Sequence, residues 1–229
     1  MPSTKEEINV SIIIAANKNR GWLDGAIESA LNQDYKGTCE VILASDGNPE
    51  LERYADKHKI RFVLAEKKNV GATQNAAAGI ARGTFLKKLD EDDTLTPNCL
   101  TDLVVCIGDH AIAYAKAFNF TPDMKRKFIN NPPREVTFKG LRKGNFINGG
   151  TVLVRRDVFL DIGGNDEVLA TSEDYDFYFN LLSHGYKFVF CDSVVYNYRM
   201  HEGRKSHIPG SPSRVKDKQY IYKKYAKWF

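Results

Sequence analysis

No apolar run in the chain approaches the roughly 18 residues that a spanning helix requires, so no transmembrane helix is expected. Cysteine is scarce. Cys39, Cys99, Cys106 and Cys191 form no CxxC pair, which argues against a zinc site or a disulfide scaffold. They are expected to be buried free thiols in a reducing cytoplasm. The N-terminal MPSTKEEINV lacks the charged-then-apolar pattern of a signal peptide, and the expected location is cytoplasmic. The formal charge of +4 is too small to identify a nucleic-acid binder by itself. Three nucleotide-binding signatures are also missing. After the first apolar run, AANKNRGW holds neither a GxGxxG fingerprint nor a basic glycine-rich loop, and no GxxxxGK[ST] occurs anywhere.

What is present describes an ordinary globular chain, 42% hydrophobic and 27% charged over 229 residues, enough for one sizeable domain. Val10–Ala16 (VSIIIAA) is a continuous apolar run, as expected of a strand covered on both faces. Leu23, Ala26, Ile27, Ala30 and Leu31 then repeat at helical spacing. Strands are expected at 40–44, 61–65 and 84–89, with helices at 51–58 and 72–81 between them and another opened by Pro97. This alternation predicts an α/β fold with parallel strands, in which ligands bind beyond the carboxyl ends of the strands. After Ile107 the pattern loosens. AIAYAKAF and TVLVRR read as strands flanking a long polar stretch, Thr121–Asn145. A helix over Asp174–His184 and two strands, 187–191 and 194–199, complete the reading.

The strand LKKL runs directly into Asp90, Glu91, Asp92 and Asp93. In an extended chain alternate residues share a side, so Asp90 and Asp92 can reach one ligand while Glu91 turns away. Carboxylate oxygens suit Mg²⁺ or Mn²⁺, ions usually held by one or two carboxylates together with substrate phosphates. The plainer alternative is a solvated acidic loop capping the next helix.

Five segments, VSIIIAANKN, AIESALNQDY, EVILASDG, NVGATQNAAAGIARGTFLKKLDEDDTLTP and SEDYDFYFNLLSHGYKF, together resemble the family 2 glycosyltransferases of GT-A fold. The likeness covers residues 8 to 205. It implies a Rossmann-like, mostly parallel central sheet flanked by helices, with a smaller mixed sheet on the acceptor side. It divides one domain into a nucleotide-sugar half (8–107), an acceptor half (108–207) and a basic aromatic tail (208–229). By resemblance, Asp90-Glu91-Asp92 is the DxD motif, with Asp90 and Glu91 on the nucleotide-sugar side and Asp92 a metal ligand. Ala15, Asn17, Asp46 and Gly71 would complete the nucleotide-sugar site, Asp46 accepting a nucleobase N–H. Asp174 would be the base that deprotonates the acceptor in an inverting transfer. Glu173, Gly149 and Gly150 would position sugar or acceptor, and His201 would join the metal shell. Arg199 and Lys205 would meet phosphate. Alternatives remain for each: Asp-Gly at 46 is a turn signal, Glu173-Asp174 suits a helix N-terminus, and Asn148-Gly149-Gly150 can be an ordinary turn.

The chain also departs from the family pattern. Asn17 stands where an aromatic residue often stacks on the base, and Asn75-Ala76-Ala77 lacks a frequent arginine; Lys18, Lys67 and Lys68 are the candidate replacements. The expected function is transfer of one sugar from a nucleotide-diphosphate donor to a hydroxyl with Mn²⁺ or Mg²⁺. A UDP-sugar leads, with GDP and dTDP behind it. The acceptor is a glycan, glycolipid or glycoprotein before a nucleic acid. A nucleotidyltransferase and a binding module without turnover are the rivals. The tail SRVKDKQYIYKKYAKWF reads first as a helix packing its aromatics on the domain, and otherwise as a contact to an anionic membrane.

Overall fold

The computed structural model describes residues 9–66, 69–203 and 211–229. The apolar run Val10–Ala16 is the central strand β1, paired in parallel with β2 (Cys39–Ser45) on one side and β4 (Phe85–Asp90) on the other. The strand β3 (Arg61–Leu64) extends this parallel half beyond β2. Helices α1 (Leu23–Leu31), α2 (Glu52–His58) and α3 (Val70–Ile80) make the crossovers, each in the expected place. The first face of α1 is buried through Leu23, Ala26, Ile27 and Ala30. Asn69 starts α3 by accepting the Ala72 N–H at 2.7 Å, a side-chain cap that satisfies an otherwise orphaned donor.

Strand alternation sorts the core. Ile12 and Ile14 of β1 join one apolar cluster, and Ile13 joins the cluster on the opposite face. The helix α4 (Cys99–Ile107) packs on the first face, and α7 (Glu173–Ser183) on the second. The same alternation sends the consecutive lysines of β4 apart. Lys87 lies over the Tyr196 ring and Lys88 over Phe159 and Phe177.

The sheet does not stop at β4. It continues through β8 (Leu153–Arg155), β6 (Ile112–Phe120), β9 (Phe188–Arg199) and the short β5 (Thr94–Leu95), with β7 (Lys127–Ile129) hanging from β6. Here β4–β8, β8–β6 and β9–β5 are antiparallel, while β6–β9 is parallel. The expected mixed region is thus present, as a continuation of the central sheet. The two strands expected over 187–199 are one. Tyr114 faces Phe190 and Lys116 faces Val194, so the polar Asp192-Ser193 sits in a bulge that the ladder absorbs. The expected TVLVRR strand shortens to three residues, because Gly149–Thr151 forms a 3₁₀ turn and Arg156 opens α6 (Arg156–Asp161).

The polar stretch after β6 holds the β7 hairpin and α5 (Phe138–Lys143). The tail forms α8 (Pro212–Lys224), whose Ile221 and Tyr225 are buried. Trp228 stacks on Phe138 with ring centroids 5.0 Å apart, and Phe229 meets Phe179 edge-on. The packed-tail expectation thus matches. All four cysteines are free, but Cys39 is exposed rather than buried. Among the described residues no helix is long and apolar enough to cross a membrane.

Candidate active site

A cavity of about 770 Å³ opens at the carboxyl ends of β1, β2 and β4, where the parallel topology places it. Ala15, Asn17 and Asp46 line one end. Asp90, Glu91, Asp92 and Lys88 form the middle, and Gly149, Glu173 and Asp174 lie across from them. Ten of the twelve site residues expected from sequence line this cavity or, like His201, touch a residue that does. Gly71 and Gly150 are not in its wall.

Each of those two glycines has another explanation. A Cβ on Gly150 would lie 2.0 Å from Cζ of the buried Tyr196, so the missing side chain admits that ring and not a sugar. Gly71 is buried in the first turn of α3, where a Cβ would meet the Asn165 Cβ at 3.4 Å and the Glu173 Cβ at 3.5 Å, ordinary packing distances to neighbouring side chains. Gly149 does face the cavity, with the position of a Cβ 3.5 Å from Asp174 Oδ2.

At the nucleotide end, Asp46 donates its backbone N–H to the Ala16 carbonyl at 2.7 Å, which ties the ends of β1 and β2. Asp46 Oδ1 and Asn17 Oδ1 are both buried acceptors with no partner among the described residues. Unpartnered buried acceptors are costly, and two of them on one wall mark a place where a ligand donor belongs. Glu91, by contrast, is engaged. It accepts the Asn17 N–H at 2.8 Å and pairs with Arg20, which also lines the cavity. Its burial raises its pKa against those hydrogen bonds and the Arg20 charge.

The acidic centre is held from three sides. Tyr196 Oη accepts the Asp90 N–H at 3.2 Å. Asp93 Oδ1 accepts the Arg199 N–H at 2.6 Å, and Arg199 Nε donates to the Asp92 carbonyl at 2.8 Å. Asp93 therefore ties the acidic turn to β9 and does not cap α4, which begins at Cys99 behind Asn98. Asp92 Oδ2 lies 2.7 Å from His201 Nε2, and Trp22 packs on the imidazole with centroids 4.7 Å apart. Burial, then the charges of Asp92, Glu173 and Asp174, pushes the Asp90 pKa up to about 7.

Lys88 is the buried cation among these acids, and sequence reasoning passed over it. Its Nζ donates to Asn165 Oδ1 at 3.2 Å. Burial lowers its pKa while Glu173, Asp174 and Asp90 hold it up. The signal was in LKKL: a lysine inside an apolar strand needs an acidic partner to remain charged. Asp174 lies at the first turn of α7, where Oδ1 accepts the Tyr175 N–H at 2.7 Å and Oδ2 accepts from Asn145 Nδ2 at 3.0 Å. Burial raises its pKa, with Lys88, the Tyr175 N–H and Asn145 opposing. Arg214 and Lys218 of α8 also line the cavity, which nothing in the tail's sequence pattern indicated. Lys18 is exposed and absent from the wall, and Asn75 is spent holding Asn165 and Glu167. Lys67, Lys68 and Lys205 lie outside the described residues.

The family model described as glycosyl transferase family 2 matches residues 11–163, which is most of the chain and includes nearly all of the parallel half and the Asp90–Asp93 turn. The chain belongs to glycosyltransferase family 2. Glu173, Asp174 and His201 lie beyond the matched span, yet the fold returns them to the same cavity. An uncharacterized glycosyltransferase of Methanocaldococcus jannaschii, MJ1057, is 27% identical over 94% of this chain and 77% of its own length. The Escherichia coli enzyme UDP-Glc:alpha-D-GlcNAc-diphosphoundecaprenol beta-1,3-glucosyltransferase WfaP is 26% identical over 86% of this chain and 79% of its own. Chondroitin synthase of Escherichia coli is 26% identical over 84% of this chain, which spans only 29% of that protein. Among solved structures, S. aureus TarS 1-349 in complex with UDP-GlcNAc superposes with a TM-score of 0.73 at 20% identity, covering 96% of this chain and 66% of that one. That likeness shows the α/β fold, with its curled mixed sheet between helices.

Proposed function

We propose that this chain transfers one sugar from a nucleotide-diphosphate sugar to an acceptor hydroxyl, with inversion at the anomeric carbon. The observation that carries the reading is the order of chemistry along one cavity: unpartnered acceptors at Asn17 and Asp46, the Asp90–Asp92 turn in the middle, and Asp174 opposite. In this reading Asp46 accepts the imide N–H of uracil. A UDP-sugar donor is also supported by the UDP-GlcNAc bound to TarS and the UDP-Glc in the name of WfaP.

Asp92, with His201 beside it, would hold a divalent cation. The carboxylate oxygen suits Mn²⁺ or Mg²⁺. The residues fit such an ion, because Asp90, Glu91 and Asp92 line the cavity together with Glu173 and Asp174, a concentration of carboxylate oxygens in one wall. Among the described residues no preformed group of three or more His, Cys, Asp or Glu side chains surrounds a metal position. In this reading substrate phosphates complete the ion's coordination. When bound, the cation neutralises charge on the departing diphosphate.

Asp174 takes the acceptor proton as the hydroxyl oxygen bonds to the anomeric carbon and the sugar–phosphate bond breaks. Asn145 and the Tyr175 N–H hold its carboxylate in place, and Lys88 keeps a positive charge near both acid groups. The test is a donor screen with purified protein, UDP-, GDP- and dTDP-sugars, with and without Mn²⁺, read as released nucleotide. Release from a UDP-sugar only with metal is the expected result. Absence of both turnover and metal-dependent binding for all donors would overturn the reading.

A further inference from the structure

The β6–β7 hairpin carries an amphipathic tip that the transferase reading leaves unused. Its turn is closed by the Thr121 N–H donating to the Arg126 carbonyl at 2.9 Å, with Met124 in the left-handed region at φ 58°. All three β7 residues, Lys127, Phe128 and Ile129, are exposed, and among the described residues they pair only with β6. Successive strand residues point to opposite faces, so solvent reaches both sides of β7 and the element stands out as a finger. Met124, Phe128 and Ile129 are 45%, 44% and 54% exposed. Interleaved with them are Lys125, Arg126 and Lys127, against the single acid Asp123, which is engaged with Thr121 and the Lys125 N–H. Arg126 covers one face of Phe128, its guanidinium carbon 5.6 Å from the ring centroid.

We infer that this hairpin docks the protein on an anionic lipid surface. Three apolar side chains on a narrow finger can enter the headgroup layer while three adjacent cations stay at the phosphates. A protein partner would need a broad complementary face, about 800 Å² on each side, which a two-stranded tip does not offer. Position adds the consequence. Asn130 follows β7 directly, donates its backbone N–H to the Ala117 carbonyl at 3.0 Å, and lines the catalytic cavity. The finger thus leaves from the cavity rim, and docking it brings that rim to the bilayer. The docking itself does not depend on the transferase reading.

The test is co-sedimentation of the full chain with vesicles of phosphatidylcholine alone and of phosphatidylcholine with phosphatidylglycerol. Binding is expected only to the anionic vesicles, and raised salt should weaken it. The variants Phe128→Ser/Ile129→Ser and Lys125→Glu/Arg126→Glu/Lys127→Glu should each lose at least tenfold in vesicle affinity, with thermal melting and donor binding unchanged. Lys223→Glu/Lys227→Glu, in the tail, should bind like the parent. A Phe128→Trp variant should show a blue shift with anionic vesicles beyond that of the parent's own two tryptophans. No binding by the parent, equal binding by both hairpin variants, or self-association through Phe128 and Ile129 without lipid would each overturn the inference.

Discussion

Asp92 and His201, 109 positions apart in sequence, meet at 2.7 Å between Oδ2 and Nε2. The contact joins the end of the parallel half to the residues just past β9, and Arg199 braces it by donating to the Asp92 carbonyl. If the pair holds a cation with the donor diphosphate, His201→Ala should weaken Mn²⁺-supported donor binding by about tenfold or more. Asp92→Ala should abolish the metal dependence. Calorimetry with and without Mn²⁺ measures both, and unchanged metal dependence in Asp92→Ala would sink the ligand assignment.

Asp174→Asn keeps the shape and the Asn145 contact region but removes the proton acceptor. Its kcat should fall by about 10²–10⁴-fold with donor affinity little changed. Burial raises the Asp174 pKa above its ordinary 3.8, so the base is lost to protonation earlier than a surface aspartate would be as pH falls. The acid limb of the parent's pH–rate profile should therefore lie above that value. Near-parent transfer by Asp174→Asn would refute the base assignment.

Gly150→Ala tests the role of the second glycine. The new Cβ would collide with the Tyr196 ring, whose hydroxyl accepts the Asp90 N–H and whose face covers Lys87. Lys87 also donates to the Gly150 carbonyl, so the turn, the lysine and the ring move together. Overpacking here should cost about 1–3 kcal/mol. A thermal melt reads this as roughly 2–4 °C per kcal/mol for a chain of this size. An unchanged melting temperature with lower activity would instead favour a sugar contact at Gly150.

Glu40 is a buried acid far from the cavity. Ser11 Oγ, the Arg82 N–H, and the Arg61 and Arg82 side chains all donate to it. Burial alone would raise its pKa, but these donors outweigh it and hold the carboxyl below its ordinary 4.5. A depressed acid stabilises the fold above its unfolded pKa and loses that contribution as pH falls through the folded value. Glu40→Gln should therefore destabilise the protein at neutral pH by about 1–3 kcal/mol. The gap from the parent should close as pH falls below the ordinary 4.5 and through the lower folded value, as denaturant titrations at a series of pH values would show.

Much of this was legible in the sequence because it is local. A continuous apolar run reports a strand buried on both faces, and 3.6-residue spacing reports a helix. Strands that alternate with helices fix a parallel order, and that order fixes which ends of the strands face a ligand. Asp46 and Asp90–Asp92 could therefore be assigned to one edge before any contact was seen. The 187–199 segment was misread for the same reason. Asp192-Ser193 has the composition of a turn, and only pairing with β6 shows that a bulge carries the strand through it.

What composition and spacing could not decide is which partner each buried group would meet. Lys87 and Lys88 are neighbours in the chain, yet the strand's pleat sends one under Tyr196 and the other toward Asp174. Gly149 and Gly150 look alike in sequence, but one borders the cavity and the other makes room for a ring from β9. Asp93 could have been a cap, and a backbone N–H more than a hundred residues away claimed it instead. The sequence by itself determined the elements and the edge at which they present their acids, since both follow from periodicity. The tertiary structure alone decided the pairing of charges and the use of each glycine, because these depend on side chains that are distant in sequence and adjacent only once the sheet has closed.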